Sequence, residues 1–326
     1  MNLGEIIMPK RNPKHNNLKS QRLRMITTPS ALRGNENALR FRPVSEFAIG
    51  SGLIAKKLQP RHRMDPEKQL RINLLEERIK MGTATKSDLV ELDLIYQREE
   101  MLSLHKRTLD LMEDRFPNSG EVRFLYGIQH FFGKKDELAL RDFAKAQELG
   151  YLNGQLCNSV GAIYNRRGDL ATAESWFQRA IKIEPTLEVP YFNLAAIQSI
   201  KGDLAGAERW MLKSMSLNPC YDRPYAGLAQ VITFPNLMAT RVHLARIAIA
   251  LEPLNPDAIR LSAQLSLTET TLEGLLNMPL DKVAQVKAHL KELWDEFATP
   301  GKDFGEFFAS REAFYGNLIS YAQSLP

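Results

Sequence analysis

The sequence predicts an all-α protein: a solenoid of helical hairpins with helical N- and C-terminal caps and an extended basic N-terminal arm. Pro185, Pro219 and Pro253 recur at one fixed interval, Gly168-Asp169 and Gly202-Asp203 keep the same step, and so do Ala173 and Ala207. That interval is about 34 residues, the length of a two-helix unit that stacks on its neighbours to bury its apolar faces. Turn residues and small residues in one register mark a run of such units.

The unit at 154–187 sets the register. Cys157, Val160, Gly161 and Tyr164 belong to its first helix, Ala173 and Phe177 to its second, and Pro185 closes it. One period on, 188–221 carries Tyr191, Leu194, Ala195, Ala207, Met211 and Pro219; one period back, 120–153 carries Tyr126, Gly127, Ala139, Phe143 and Ala146, with His130 and Tyr151 in place of the usual Tyr and Pro. The unit at 222–255 keeps Tyr225, Leu228, Ala229 and Pro253 but has Arg241 where the second helix needs a small residue. Each residue type has a mechanical reason. Small residues let paired helices approach. Gly-Asp ends one helix with a residue tolerant of positive φ and offers a carboxylate to cap the next. Proline stops the second helix, because it lacks an N–H and disfavours helix at the residue before it.

On these residues the chain resembles the tetratricopeptide-repeat family, over four units that span 120–255. In that family the first helix of each unit lines a concave groove that receives partners. The resemblance therefore implies a protein-interaction scaffold or adaptor whose first helices line a concave groove. Carried onto this chain, the groove positions are Phe124, Ile128 and Phe131 in the first unit, and Asn158, Ala162, Asn165 and Arg166 in the second. In the third they are Phe192, Asn193, Ala196 and Ser199, and in the fourth Arg223, Gln230 and Thr233. Asn and Gln side chains pair with both groups of an extended peptide backbone. The family's cationic clamp for acidic chaperone tails is not expected, because its slots hold Phe124, Ile128, Ser159, Val189 and Asn193.

The flanks read less sharply. Asp65-Pro66 opens a helix with Leu70, Leu74, Leu75 and Ile79 as its apolar stripe. A capping box at Thr85 and Asp88 opens a second; Pro117 lies two periods before Pro185, so this stretch could descend from a repeat, but it lacks the Gly-Asp turn and is expected to run unbroken to Pro117, so that 64–119 is a two-helix lead-in. After the repeats, 256–326 is a helical cap: one helix from Pro256 to Leu276, an amphipathic one from Asp281 to Ala298, and an aromatic-rich one from Phe304 to Leu325. Its rings are expected either as core against the preceding helix or as a strip for homo-oligomer contact.

Charge is segregated. Residues 1–63 hold 13 Lys or Arg and 3 acidic residues, net +10, leaving the remainder at net −5. The basic arm includes Lys10, Arg11, Lys14, Lys19, Arg22, Arg24, Arg33, Arg40 and Arg42. It could dock on the body or a neighbouring subunit through Phe41, Val44, Phe47, Ile49, Leu53 and Ile54. Alternatively it binds nucleic acid or another anionic surface by salt-dependent contacts, or serves as an organelle transit peptide. A cytoplasmic protein is expected, or an organellar one in the transit-peptide case. The six histidines are scattered, Cys157 and Cys220 fall in different units, and no phosphate loop or nucleophile elbow is present. No enzyme activity, metal or cofactor is expected.

Overall fold

The computed structural model describes residues 66–98, 101–232, 237–253, 255–265, 267–297 and 311–325, with 304 and 307. The arm at 1–63, and with it every expectation about its cations and apolar anchors, lies outside the described residues. Among the described residues the fold is helical throughout, with no strand.

The central hairpins are α4 (Gly120–Phe132) with α5 (Asp136–Glu148), α6 (Gly154–Arg167) with α7 (Leu170–Ile183), and α8 (Glu188–Lys201) with α9 (Leu204–Leu217). Their ends follow from local chemistry. Gly168 and Gly202 take φ of 82° and 85°, a left-handed conformation that costs glycine nothing. The next residue then caps the second helix: Asp169 accepts from Thr172 N–H at 3.1 Å and Asp203 from Gly206 N–H at 2.9 Å. Packing depends on the small residues. A Cβ on Gly161 would lie 2.7 Å from Phe177 Cε1, and one on Gly127 would collide with Phe143 in the same way. The rings of Phe143 and Phe177 are fully buried.

Between Thr85 and Pro117 the structure has two helices where one was expected: α2 (Lys86–Arg98) and α3 (Leu102–Arg115). The capping box is present, with Asp88 N–H donating to Thr85 Oγ1 at 3.2 Å and Thr85 N–H to Asp88 Oδ2 at 2.9 Å. The two helices begin two periods before α6 and α7, so they form a further hairpin in the same register. The equivalents of Gly161 and Ala173 are Asp93 and His105, which meet Oδ1 to Nδ1 at 2.7 Å with both side chains buried. A polar pair fills the crossing that small residues fill elsewhere, which hid the hairpin from the sequence pattern.

Ahead of it, α1 (Pro66–Lys80) buries Ile72 and Leu75 against Leu92 and Tyr96 of α2. Leu70 and Leu74, expected on its buried stripe, are exposed.

The hairpin of α10 (Asp222–Val231) and α11 (Leu237–Leu251) is cut short in its first helix. Arg241, standing where a small residue belongs, donates from Nε to the Ala229 carbonyl at 2.6 Å, satisfying a group that the early helix end frees. Its second helix is the hub of the C-terminal cap. Leu244, Ala245, Ile247, Ala248, Ile249 and Ala250 are all buried, because α11 is packed on several sides. Around it lie α12 (Pro256–Gln264), α13 (Glu269–Leu276), α14 (Leu280–Phe297) and α15 (Arg311–Gln323). The stretch from Pro256 to Leu276 is thus two helices, not one; Thr268 caps the second by accepting from Thr271 N–H at 3.2 Å.

The aromatic segment is core. Phe307, Phe314 and Tyr315 are buried, and Phe314 packs on Trp294 with ring centroids 4.4 Å apart. These three rings are spent inside the chain, so the expectation of a homo-oligomer strip loses them. The cap also repairs the shortened hairpin. Glu174 of α7 holds Gln198 at 3.2 Å and Lys201 at 2.5 Å on the next first helix. Its equivalent one period on, Glu208, looks past the end of α10. It is met instead by Arg311 Nε at 3.0 Å and Tyr315 OH at 2.9 Å from α15.

Candidate peptide-binding groove

The first helices α4, α6, α8 and α10 touch one another in series, while second helices pack chiefly against the first helices on either side of them. The expected groove positions all stand on this row of first helices.

The apolar part of the expected lining is largely consumed by packing. Phe124, Ile128 and Phe192 are buried. Phe124 lies 5.3 Å from the Tyr151 ring and 6.0 Å from Phe143, and Phe192 meets Tyr221 edge-on at 5.7 Å. These rings form the floor between neighbouring hairpins and do not offer open faces to a ligand. Phe131 is half-buried, pairs with Phe132 at 5.4 Å, and carries the Arg166 guanidinium over its ring at 5.0 Å.

The polar positions are more open. Asn193 Nδ2 donates to Asn158 Oδ1 at 2.8 Å across two successive first helices, leaving the Asn158 amide N–H groups and the Asn193 oxygen outside this bond. Asn165 is half-buried, and Arg223 is exposed. Gln230 is half-buried and donates to the Ala226 carbonyl at 3.4 Å. Ala162 and Ala196 keep the middle of the face low, Ser199 is buried, and Thr233 lies outside the described residues. Arg166 pairs with Asp136, and Arg167 with Glu137 at 3.0 Å, so these cations tie one hairpin to the next.

Two residues absent from the sequence reading matter here. Phe132 is 67% exposed and Ile200 is 44% exposed. Both stand at the repeat position of Arg166, one period before and one period after it, a row the sequence reading used only at Arg166. They leave apolar side chains exposed at the C-terminal ends of α4 and α8, with Arg166 at the same position of α6 between them.

Cys157 is fully buried, and burial pushes its thiol up to about 11, as suits a packing residue rather than a nucleophile. Among the described residues no cluster of three His, Cys, Asp or Glu side chains is placed to hold a metal ion. No helix among them is long and apolar enough to cross a membrane.

Comparison with known proteins agrees with this architecture. The tetratricopeptide-repeat family matches residues 154–187. No curated protein matches in sequence. Among solved structures, the chain is similar to the Cut9–Hcn1 hetero-tetramer of the APC/C, with a TM-score of 0.53 and 11% identity over 78% of this chain and 46% of that one. The chain thus spans less than half the length of that protein, and at such identity the likeness is one of fold. Weaker likenesses are to PilF of Pseudomonas aeruginosa, at TM-score 0.46 and 14% identity over 70% and 96% of the two chains, and to yeast Tom70, at 0.44 and 17% over 78% and 61%. Residues 154–187 thus match a tetratricopeptide repeat, and with helical hairpins in the same register on either side the described residues have the solenoid fold of tetratricopeptide-repeat proteins.

Proposed function

We propose that this chain is a non-enzymatic scaffold that holds an extended segment of a partner protein on its concave face, while the basic segment 1–63 anchors the assembly. The observation that carries the reading is that the same row of first helices carries a bridging amide pair, Asn158 with Asn193, and exposed apolar side chains, Phe132 and Ile200. The amides match the donors and acceptors of a peptide backbone, and Phe132 and Ile200 offer purchase to apolar side chains. The ligand that fits is a segment with free backbone groups and one or two large apolar residues. A strongly acidic tail fits less well, since Arg166 and Arg167 are engaged with Asp136 and Glu137.

The test is capture of a partner by the full chain, followed by calorimetry with Phe132→Ala/Asn193→Ala. Both changes leave the buried side chains Phe124, Ile128 and Phe192 in place, and the pair should weaken binding by about 2 kcal/mol with helical content unchanged. Binding at wild-type strength moves the site off this face. A second reading, association with nucleic acid or an anionic surface, is favoured by the net +10 of residues 1–63. It predicts binding that falls steeply with salt and disappears when those cations are neutralised.

A further inference from the structure

The N-terminal end of the described solenoid is α1, whose two apolar sides are unequal. One buries Ile72 and Leu75 against α2; the other presents Leu70, 71% exposed, and Leu74, 42% exposed. The repeat register says what is missing. Leu74 stands one, two and four periods before Thr108, Asp142 and Trp210, each on the second helix of a complete hairpin. Thr108 and Asp142 are buried there. Asp142 bonds His130 of its own first helix at 2.7 Å, and Trp210 lies 5.8 Å from Tyr191 of its own first helix. Leu70 is likewise the equivalent of Leu104 and Leu138, both half-buried. So α1 occupies the place of a second helix, and its exposed leucines face where its own first helix would lie. In the register that place belongs to residues 52–65, which are outside the described residues and contain Leu53, Ile54 and Leu58.

We propose that the open face of α1 is covered by the chain's own Leu53, Ile54 and Leu58. This holds independently of the groove reading. Chain connectivity favours this occupant over a second molecule. Only the short stretch 59–65 separates Leu58 from Pro66, so the two apolar sets meet as an intramolecular pair at high effective concentration. The cover differs from a full repeat in one respect. Where complete hairpins have Ala139 or Ala173, α1 has Arg71, which bonds Glu91 of α2 at 2.7 and 2.6 Å, so contact rests on the leucines and not on close backbone approach.

The test uses the full-length chain and hydrogen exchange of the α1 amides, with light scattering for mass. Leu53→Glu/Leu58→Glu and Leu70→Glu/Leu74→Glu should each speed α1 exchange by about tenfold, the four changes together should do no more than either pair, and the chain should keep the wild-type mass throughout. An unchanged α1 after the first pair overturns the proposal. A dimer or higher species that Leu70→Glu/Leu74→Glu dissolves also overturns it and assigns the face to a second copy. Should the charged variants unfold, Leu58→Cys/Leu74→Cys in a Cys220→Ser background decides: an intramolecular disulfide under mild oxidation supports the proposal, and an intermolecular one or none refutes it.

Discussion

The hairpins at 86–119 and 154–187 share one register, yet cross their helices by opposite means. In the second, Gly161 and Ala173 bring the helices so close that no Cβ fits against Phe177. In the first, Asp93 and His105 occupy the same two positions as a buried polar pair. What the pair teaches is that the repeat geometry tolerates either solution, although the energetics differ. Dispersion and apolar burial hold the small-residue crossing. The polar crossing sets a Coulombic gain against two desolvation costs, and its members are strongly interdependent.

The largest expected effect follows from that interdependence. Asp93→Ala leaves the His105 imidazole buried without its carboxylate and should cost about 3–5 kcal/mol in urea denaturation. Removing both, as Asp93→Ala/His105→Ala, should recover most of the loss. If the double variant is as unstable as the two singles summed, the crossing depends on volume and not on pairing, and the contrast with 154–187 collapses.

Next comes the small-residue crossing. Gly161→Leu drives a side chain into the Phe177 ring and should lower stability by about 1–3 kcal/mol or more, read as a fall in melting temperature. An unchanged melting temperature would mean the helices yield there as easily as at the polar crossing.

The smallest effect concerns pH. Burial, only partly offset by His105, holds the Asp93 carboxyl above the ordinary carboxylate range. The folded chain therefore takes up that proton more readily than the unfolded one. The stability this group contributes is full below its ordinary value and is lost as pH rises through the raised one. Asp93→Asn lacks this dependence, so the stability difference between variant and wild type should move in the variant's favour on going from about pH 4 upward. Movement the other way would mean that the Asp93 carboxylate gains more from its contact with His105 than burial costs it.

The same comparison separates what was legible from what was not. Wherever the repeat used small residues, Gly-Asp turns and proline stops, helix positions could be read directly, as in α6 to α9. The hairpin at 86–119 kept a proline stop, Pro117, two periods before Pro185, but lacked the Gly-Asp turn and had Asp93 and His105 in place of the small pair. Leu70 and Leu74 looked like core because helical spacing cannot tell which apolar side of α1 has a neighbour. Position in the repeat put the expected groove residues on the first helices, but could not tell that Phe124, Ile128 and Phe192 would be covered by Tyr151, Tyr221 and other packing residues, leaving Phe132 and Ile200 open.

By itself the sequence determined the period, the helix ends and the close-packed crossings of the central hairpins, because these depend on backbone conformation and side-chain size within one unit. Only the tertiary structure decided which rings became floor and which became surface, and how α15 supplied Arg311 and Tyr315 to Glu208 where α10 ends early. Those outcomes join residues from different units or about a hundred positions apart, and contacts of that kind are set by the stacking of whole helices, which no local pattern encodes.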